Sequence, residues 1–105
     1  MKVWLEISGV QDRLEGVIRK LPSAQVEGHG VIVRSPLNAA ATLNEHLLYF
    51  WSSLKHERKY LKNLQQDGAG LTFRVKGVKG EVCIEANGAE MLHLLNARLL
   101  IAREG

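Results

Sequence analysis

The stretch AAATLNEHLLYFWSSLKHERKYLKNLQQ, residues 39–66, decides the fold. It contains no Gly or Pro, and Leu43, Leu47, Phe50, Leu54, Leu61 and Leu64 recur at spacings of three, four and seven. That is the pattern of one helix with a single core-facing side. Pro36 or Asn38 suits its opening, since proline fits a first helical turn and Asn a cap. Asp67-Gly68 closes it.

Working outward, the period changes from helical to two. Val31, Ile32 and Val33 form a short β-branched strand ending near Arg34, and Ser35-Pro36 turns the chain away from it. Ser23 to Gly30 reads as a loop. Residues 12–21 (DRLEGVIRKL) place Leu14, Val17, Ile18 and Leu21 at helical spacing, with Asp12 as N-cap and Pro22 as the stop. Val3, Leu5 and Ile7 alternate with Trp4, Glu6 and Ser8 in a half-buried strand. Downstream, Leu71, Phe73 and Val75 alternate in a strand whose apolar face makes Phe73 a core residue. The loop Gly77-Val78-Lys79-Gly80 then leads to Val82 and Ile84, a predicted hairpin in which Lys76 faces Glu81. A helix from Ala89 to about Ala97 buries Met91, Leu92, Leu94 and Leu95, and Leu99 to Ala102 is a closing strand; one continuous helix over 89–103 is the alternative. The expected fold is α+β, a two-layer sandwich with helices on one face of a mixed, mostly antiparallel sheet, in the order β-α-β-α-β-β-α-β.

The chain of 105 residues is read as one domain, residues 1–105. Hydrophobic residues at 46% and charged residues at 24% exclude a disordered chain. No apolar run approaches the roughly 20 residues that cross a bilayer. Cys83 stands alone, which points to a reducing compartment and a cytoplasmic location. The formal charge of +3 permits an acidic protein or a nucleic acid as partner without requiring either.

Catalytic and metal signatures are missing from the sequence. Four residues after His46 stands Phe50, and four after His56 stands Tyr60, so neither completes an HExxH zinc site. Glu90 and His93 share a helix face as a local contact, and His29 lies in a solvated Gly-flanked loop. Cys83, on the polar face of the predicted hairpin across from Arg74, has no base in its sequence context. Gly28-His29-Gly30 and Gly77-Val78-Lys79-Gly80 are too short to be phosphate loops. The expectation is no enzyme, no metal and no cofactor.

The long helix carries more. Beside its leucine face, Tyr49, Ser53, His56 and Tyr60 fall in one narrow sector with His46 at its side, and Trp51 sits at the seam. Another sector holds Lys55, Arg58, Lys59 and Lys62. Tyrosine and arginine are residues that interfaces favour, so these two sectors predict a partner-binding face. The alternative is an RNA- or DNA-binding accessory protein using the basic stripe. A homodimer through the hairpin edge or the Tyr49–Tyr60 stripe is a third expectation.

The stretches LEISG (5–9), VIRKLPS (17–23), VIVRSPL (31–37) and LNEHLLYFWSSL (43–54) resemble a bacterial domain family of unknown function over nearly the whole chain. Its most specific motif here is Leu43-Asn44-Glu45-His46-Leu47. The resemblance implies an α/β sandwich with a ferredoxin-like half and no known activity, and it makes His46 structural rather than a ligand. Elimination of catalysis, a cytoplasmic profile and the Tyr/His/Lys face together point to a non-catalytic protein-binding module. Among these, an immunity protein that neutralises a cognate bacterial toxin fits best.

Overall fold

Period-two patterning builds the sheet. In β1 (Lys2–Ser8), Val3, Leu5 and Ile7 are buried while Trp4 and Glu6 on the opposite face stay half-exposed. β1 is the central strand, antiparallel both to β3 (Gly30–Arg34) and to β4 (Gly70–Val78). β2 (Gln25–Glu27) pairs antiparallel with β3 at one edge, and β5 (Arg98–Arg103) pairs parallel with β4 at the other. The order is β2-β3-β1-β4-β5. The structure, a computed structural model, describes residues 1–28 and 30–103, with Arg103 described by its backbone alone; His29 lies outside the described residues.

Helices α1 (Leu14–Lys20), α2 (Leu43–Leu54), α3 (Arg58–Gln66) and α4 (Ala86–Leu94) cover the Val3/Leu5/Ile7 face. Val17, Leu47, Phe50, Leu61, Leu64 and Met91 join Leu5, Ile7 and Phe73 in one buried cluster. The Phe50 and Phe73 rings meet edge-on at 5.2 Å, linking α2 to β4. Each fully buried side chain of this size contributes about 1.5–3 kcal/mol. The fold is therefore the expected α+β sandwich, helices on one face of a mixed, mostly antiparallel sheet. Among the described residues, no helix is long and apolar enough to cross a membrane.

The long helix is corrected at both its start and its middle. Asn38 does not open it: its side chain accepts from Ala40 N–H at 2.9 Å and holds a turn instead. Thr42 is the cap. Its hydroxyl accepts from Glu45 N–H at 3.1 Å, and Glu45 Oε1 accepts from Thr42 N–H at 2.9 Å, a complete capping box that starts α2 at Leu43. Lys55–Glu57 tighten into a 3-10 turn, and Glu57 leaves helical geometry at φ −111, ψ 16. The heptad-spaced leucines belong to two consecutive helices. At the other helix start, Asp12 lies inside a 3-10 turn, Gln11–Arg13, and does not cap α1.

Two strands also differ. Val26 and its neighbours, read as loop, form β2, and the predicted hairpin is absent. Lys76 pairs with Lys2 on β1 and with Ala102 on β5, so both edges of β4 are occupied and Glu81 has no strand to join. Cys83 is accordingly exposed on the connection to α4 rather than across from Arg74. A bulge between Lys76 and Val78, with Gly77 at φ 78, inserts one extra residue into β4. That insertion reverses the alternation and turns Val78 inward, to 4% exposure. Residues 79–85 instead close over the edge of the core with half-buried Val82 and Ile84. Asn44 anchors them: Glu85 N–H donates to its Oδ1 at 3.1 Å, and its Nδ2 donates to Glu85 Oε2 and Asn87 Oδ1 at 3.2 and 2.9 Å.

Candidate functional site

The predicted helix face divides into parts of different character. Tyr49 is 38% exposed, the only aromatic among the large exposed apolar side chains of the described residues, and it stands edge-on to buried Phe50 at 5.9 Å. Ser52 and Ser53 lie one turn on and are exposed; their hydroxyls donate to Tyr49 O and Phe50 O. Lys55 and His56 are exposed on the 3-10 turn, and Lys59 and Lys62 are exposed on α3. Arg58 lies over the Trp51 ring at 5.9 Å. The three cations Arg58, Lys59 and Lys62 line a groove of about 640 Å³ that runs to the end of α4 at Leu94–Asn96. Gln65 bridges its floor, donating to Leu95 O and Asn96 O at 3.0 and 3.1 Å.

Tyr60 and His46 leave the surface row. The 3-10 turn advances each residue by about 120° rather than 100°, so Tyr60 does not continue the line from Tyr49. It packs against the core beside α1: its hydroxyl lies 3.5 Å from the position a Cβ would take on Gly16, and Lys20 stands 5.8 Å from its ring. Burial raises the Tyr60 phenol pKa. His46 is 1% exposed; its helical angle falls next to Phe50, and Ser35 lies against its ring.

His46 instead belongs to a site that no sequence spacing announced. Its Nδ1 lies 2.7 Å from Ser35 Oγ, which also accepts from Leu37 N–H at 3.3 Å. Its Nε2 is buried without a hydrogen-bond partner among the described residues, an arrangement that costs about 1–3 kcal/mol when left unmet. Burial, reinforced by the charge of the Met1 amino group, holds the imidazole pKa below its usual 6.5 despite neighbouring Glu45. Glu45 itself is lowered by the Thr42 N–H and hydroxyl that it accepts from. Ser35 and His46 lie within hydrogen-bonding reach, as a hydroxyl and its base do in a nucleophilic pair, but the second ring nitrogen has no orienting carboxylate among the described residues.

The pair lies at the rim of a cleft of about 590 Å³ that opens onto the helix-free face of the sheet. There the register sets Arg34, Trp4, Arg74 and Leu100 side by side across β3, β1, β4 and β5. Glu6 accepts from Arg74 Nε at 2.8 Å; Glu27 and Gln25 accept from Arg34 at 3.0 and 2.6 Å. These partly exposed ion pairs contribute at most about 1 kcal/mol each, and they orient the guanidinium groups. The alternation of β1 already placed Trp4 on this face. Nothing local in the sequence links Ser35 to His46. Among the described residues, no group of three or more His, Cys, Asp or Glu side chains converges as a metal site. Comparison with protein-family models, curated proteins and solved structures finds no match.

Proposed function

We propose that this chain is a non-catalytic protein-binding module that docks through the α2 face centred on Tyr49, and, within that class, a cytoplasmic immunity protein that neutralises a cognate bacterial toxin by stoichiometric binding. The observation that carries this reading is Tyr49 itself: a helix that buries Phe50, Leu47 and Leu54 holds an adjacent tyrosine in water, 38% exposed, beside Ser52, Ser53, Lys55 and His56. A rigid aromatic with few rotamers and a polar surround is what interface anchors require. The net charge of +3 matches a neutral or acidic toxin surface. Tyr60 and His46 drop out of the docking surface as packing residues. The resemblance to the bacterial family of unknown function, with its ferredoxin-like half, belongs to the same proposal. It is supported by the succession of strand, helix, two strands and capped helix through residue 54.

Calorimetry against the product of the adjacent reading frame tests the reading. Tyr49→Ala should weaken binding by about 1–3 kcal/mol with the melting temperature unchanged. Equal affinity for both proteins removes Tyr49 from the interface.

The second reading, nucleic-acid binding, is favoured by one observation: Arg58, Lys59 and Lys62 line a single groove. Four phosphate contacts including Lys55 give a log–log salt slope of roughly −3 to −4, whereas a Tyr49-centred interface responds little to salt. The self-association reading moves from the absent hairpin to edge strand β5, where Leu100 and Ile101 are each 38% exposed. Leu100→Lys with sedimentation tests it.

A further inference from the structure

We propose that the helix-free face of the sheet binds a single-stranded nucleic acid, one base stacking on the Trp4 indole and the phosphates meeting Lys2, Lys76 and Arg98. This face lies on the other side of the sheet from the helices that carry Tyr49 and the Arg58–Lys59–Lys62 groove, so the proposal rests on neither of those readings.

Strand alternation fixes which side chains stand there. Val3, Leu5 and Ile7 turn into the core, so Lys2, Trp4 and Glu6 turn outward. The register puts Arg34 and Arg74 on either side of Trp4, Lys76 beside Lys2, and Thr72 between Glu6 and Arg98. At about 4.8 Å between strands, the row Arg34–Trp4–Arg74–Leu100 spans roughly 14 Å. Glu27 and Glu6 engage Arg34 and Arg74, whereas Lys2, Lys76 and Arg98 are exposed and make no ion pair among the described residues. Trp4 is half-exposed and, with Lys2, Ile32 and Arg34, lines the cleft of about 590 Å³, so the indole borders a hollow.

Charge and shape choose the occupant. Five cations, Lys2, Arg34, Arg74, Lys76 and Arg98, stand on this face against the two carboxylates of Glu6 and Glu27. The excess of three equals the formal charge of the whole chain, +3, so the rest of the molecule is balanced and the field gathers here. Such a face attracts a polyanion. A second copy laid face to face would oppose two like excesses. An acidic peptide would answer the cations and leave the indole without a flat partner, and a duplex keeps its bases stacked inside. A single strand carries anions and accessible planar bases on one chain, and stacking on an aromatic within a basic surface is how such strands are held.

The test is a titration of the ¹⁵N-labelled full chain with short oligothymidylate and oligouridylate, read by fluorescence anisotropy of the labelled oligonucleotide and by the two Trp indole resonances. Trp51→Phe assigns the indoles. Polyglutamate and a blunt DNA duplex are the controls. Either oligonucleotide should bind saturably, and three phosphate contacts give a log–log salt slope of roughly −2 on a single strand. The Trp4 indole should shift along the same curve while Trp51, beneath Arg58 at the groove, stays in place. Trp4→Ala should weaken binding about tenfold or more, and Lys59→Glu with Lys62→Glu should leave it within about threefold, which separates this face from the groove. In the wild-type chain, whether or not any variant folds, three results overturn the proposal. They are no saturable shift of the Trp4 indole with either oligonucleotide, equal binding of polyglutamate or duplex, and a Trp4 indole that moves with protein concentration alone, as contact with a second copy would make it do.

Discussion

Replacing Asn44 by alanine should be among the most damaging polar substitutions in this protein. Asn44 is 6% exposed and uses its whole amide: two donated bonds to Glu85 Oε2 and Asn87 Oδ1, and one accepted from Glu85 N–H. A neutral hydrogen bond contributes a net ~1 kcal/mol, and a partner left buried without one costs more. The bond to Glu85 is discounted because that carboxylate is exposed. The total is about 2–4 kcal/mol, a large share of the ~5–15 kcal/mol that stabilises a domain. For a chain of about this size that lowers the melting temperature by roughly 10–25 °C. Urea unfolding followed by tryptophan fluorescence measures the loss, and hydrogen exchange over residues 80–84 should quicken, since Asn44 ties this segment to α2. Pairing Asn44→Ala with Asn87→Ala in a double-mutant cycle should return a coupling of about 0.5–1.5 kcal/mol. A loss below about 0.5 kcal/mol for Asn44→Ala, or strict additivity with Asn87→Ala, would refute the clasp.

Other substitutions probe the same structure elsewhere. Tyr60→Ala should cost about 1–3 kcal/mol in urea unfolding because its ring packs on the core beside α1, while Tyr49→Ala should stay within about 0.5 kcal/mol of wild type; equal losses would mean that the two tyrosines share an environment. Gly88→Ala should destabilise by more than about 2 kcal/mol, since a Cβ there would be driven against the Asn44 side chain with Ile84 also at 3.3 Å; an unchanged urea midpoint would show that Asn44 moves aside freely. The pH dependence of stability should carry a His46 component. Burial lowers its native pKa below 6.5, so the unfolded chain binds the proton first. Its contribution is complete above the unfolded value and is lost as pH falls through it toward the lower native one. Urea midpoints at pH 7.5 and 5.5 should therefore differ more in wild type than in His46→Gln, and parallel curves would count against a neutral buried ring.

Much of the fold was legible because it is written in short-range periodicity. The alternation of Val3, Leu5 and Ile7 marks a strand with one wet side wherever it pairs, and the leucines from Leu43 to Leu64 mark core-facing helix whether the axis is continuous or broken. The break itself was not legible. Lys55-His56-Glu57 are adequate helix formers, and nothing in their own side chains marks the tightening into a 3-10 turn. Thr42 and Glu45 did hold the start signal, but three alanines of high helix propensity masked it. A capping box satisfies two end N–H groups that Ala39–Ala41 cannot.

The lost hairpin shows why pairing resists local reading. Lys76 opposite Glu81 is a favourable pair, yet a cross-strand ion pair contributes only about 0.2–1 kcal/mol. A strand along β4 also settles a row of backbone donors and acceptors, and any segment that reaches that edge can supply them. Arg98–Arg103 does so from 26 residues along the chain, with Leu99 opposite Phe73 and Ile101 opposite Val75 extending the apolar face. Val82 and Ile84 keep their burial by packing over the core edge through Asn44. The Ser35–His46 pair is the same lesson at the candidate site. Its geometry depends on α2 carrying His46 beneath a loop anchored at the end of β3. That relation exists only once the sheet has formed.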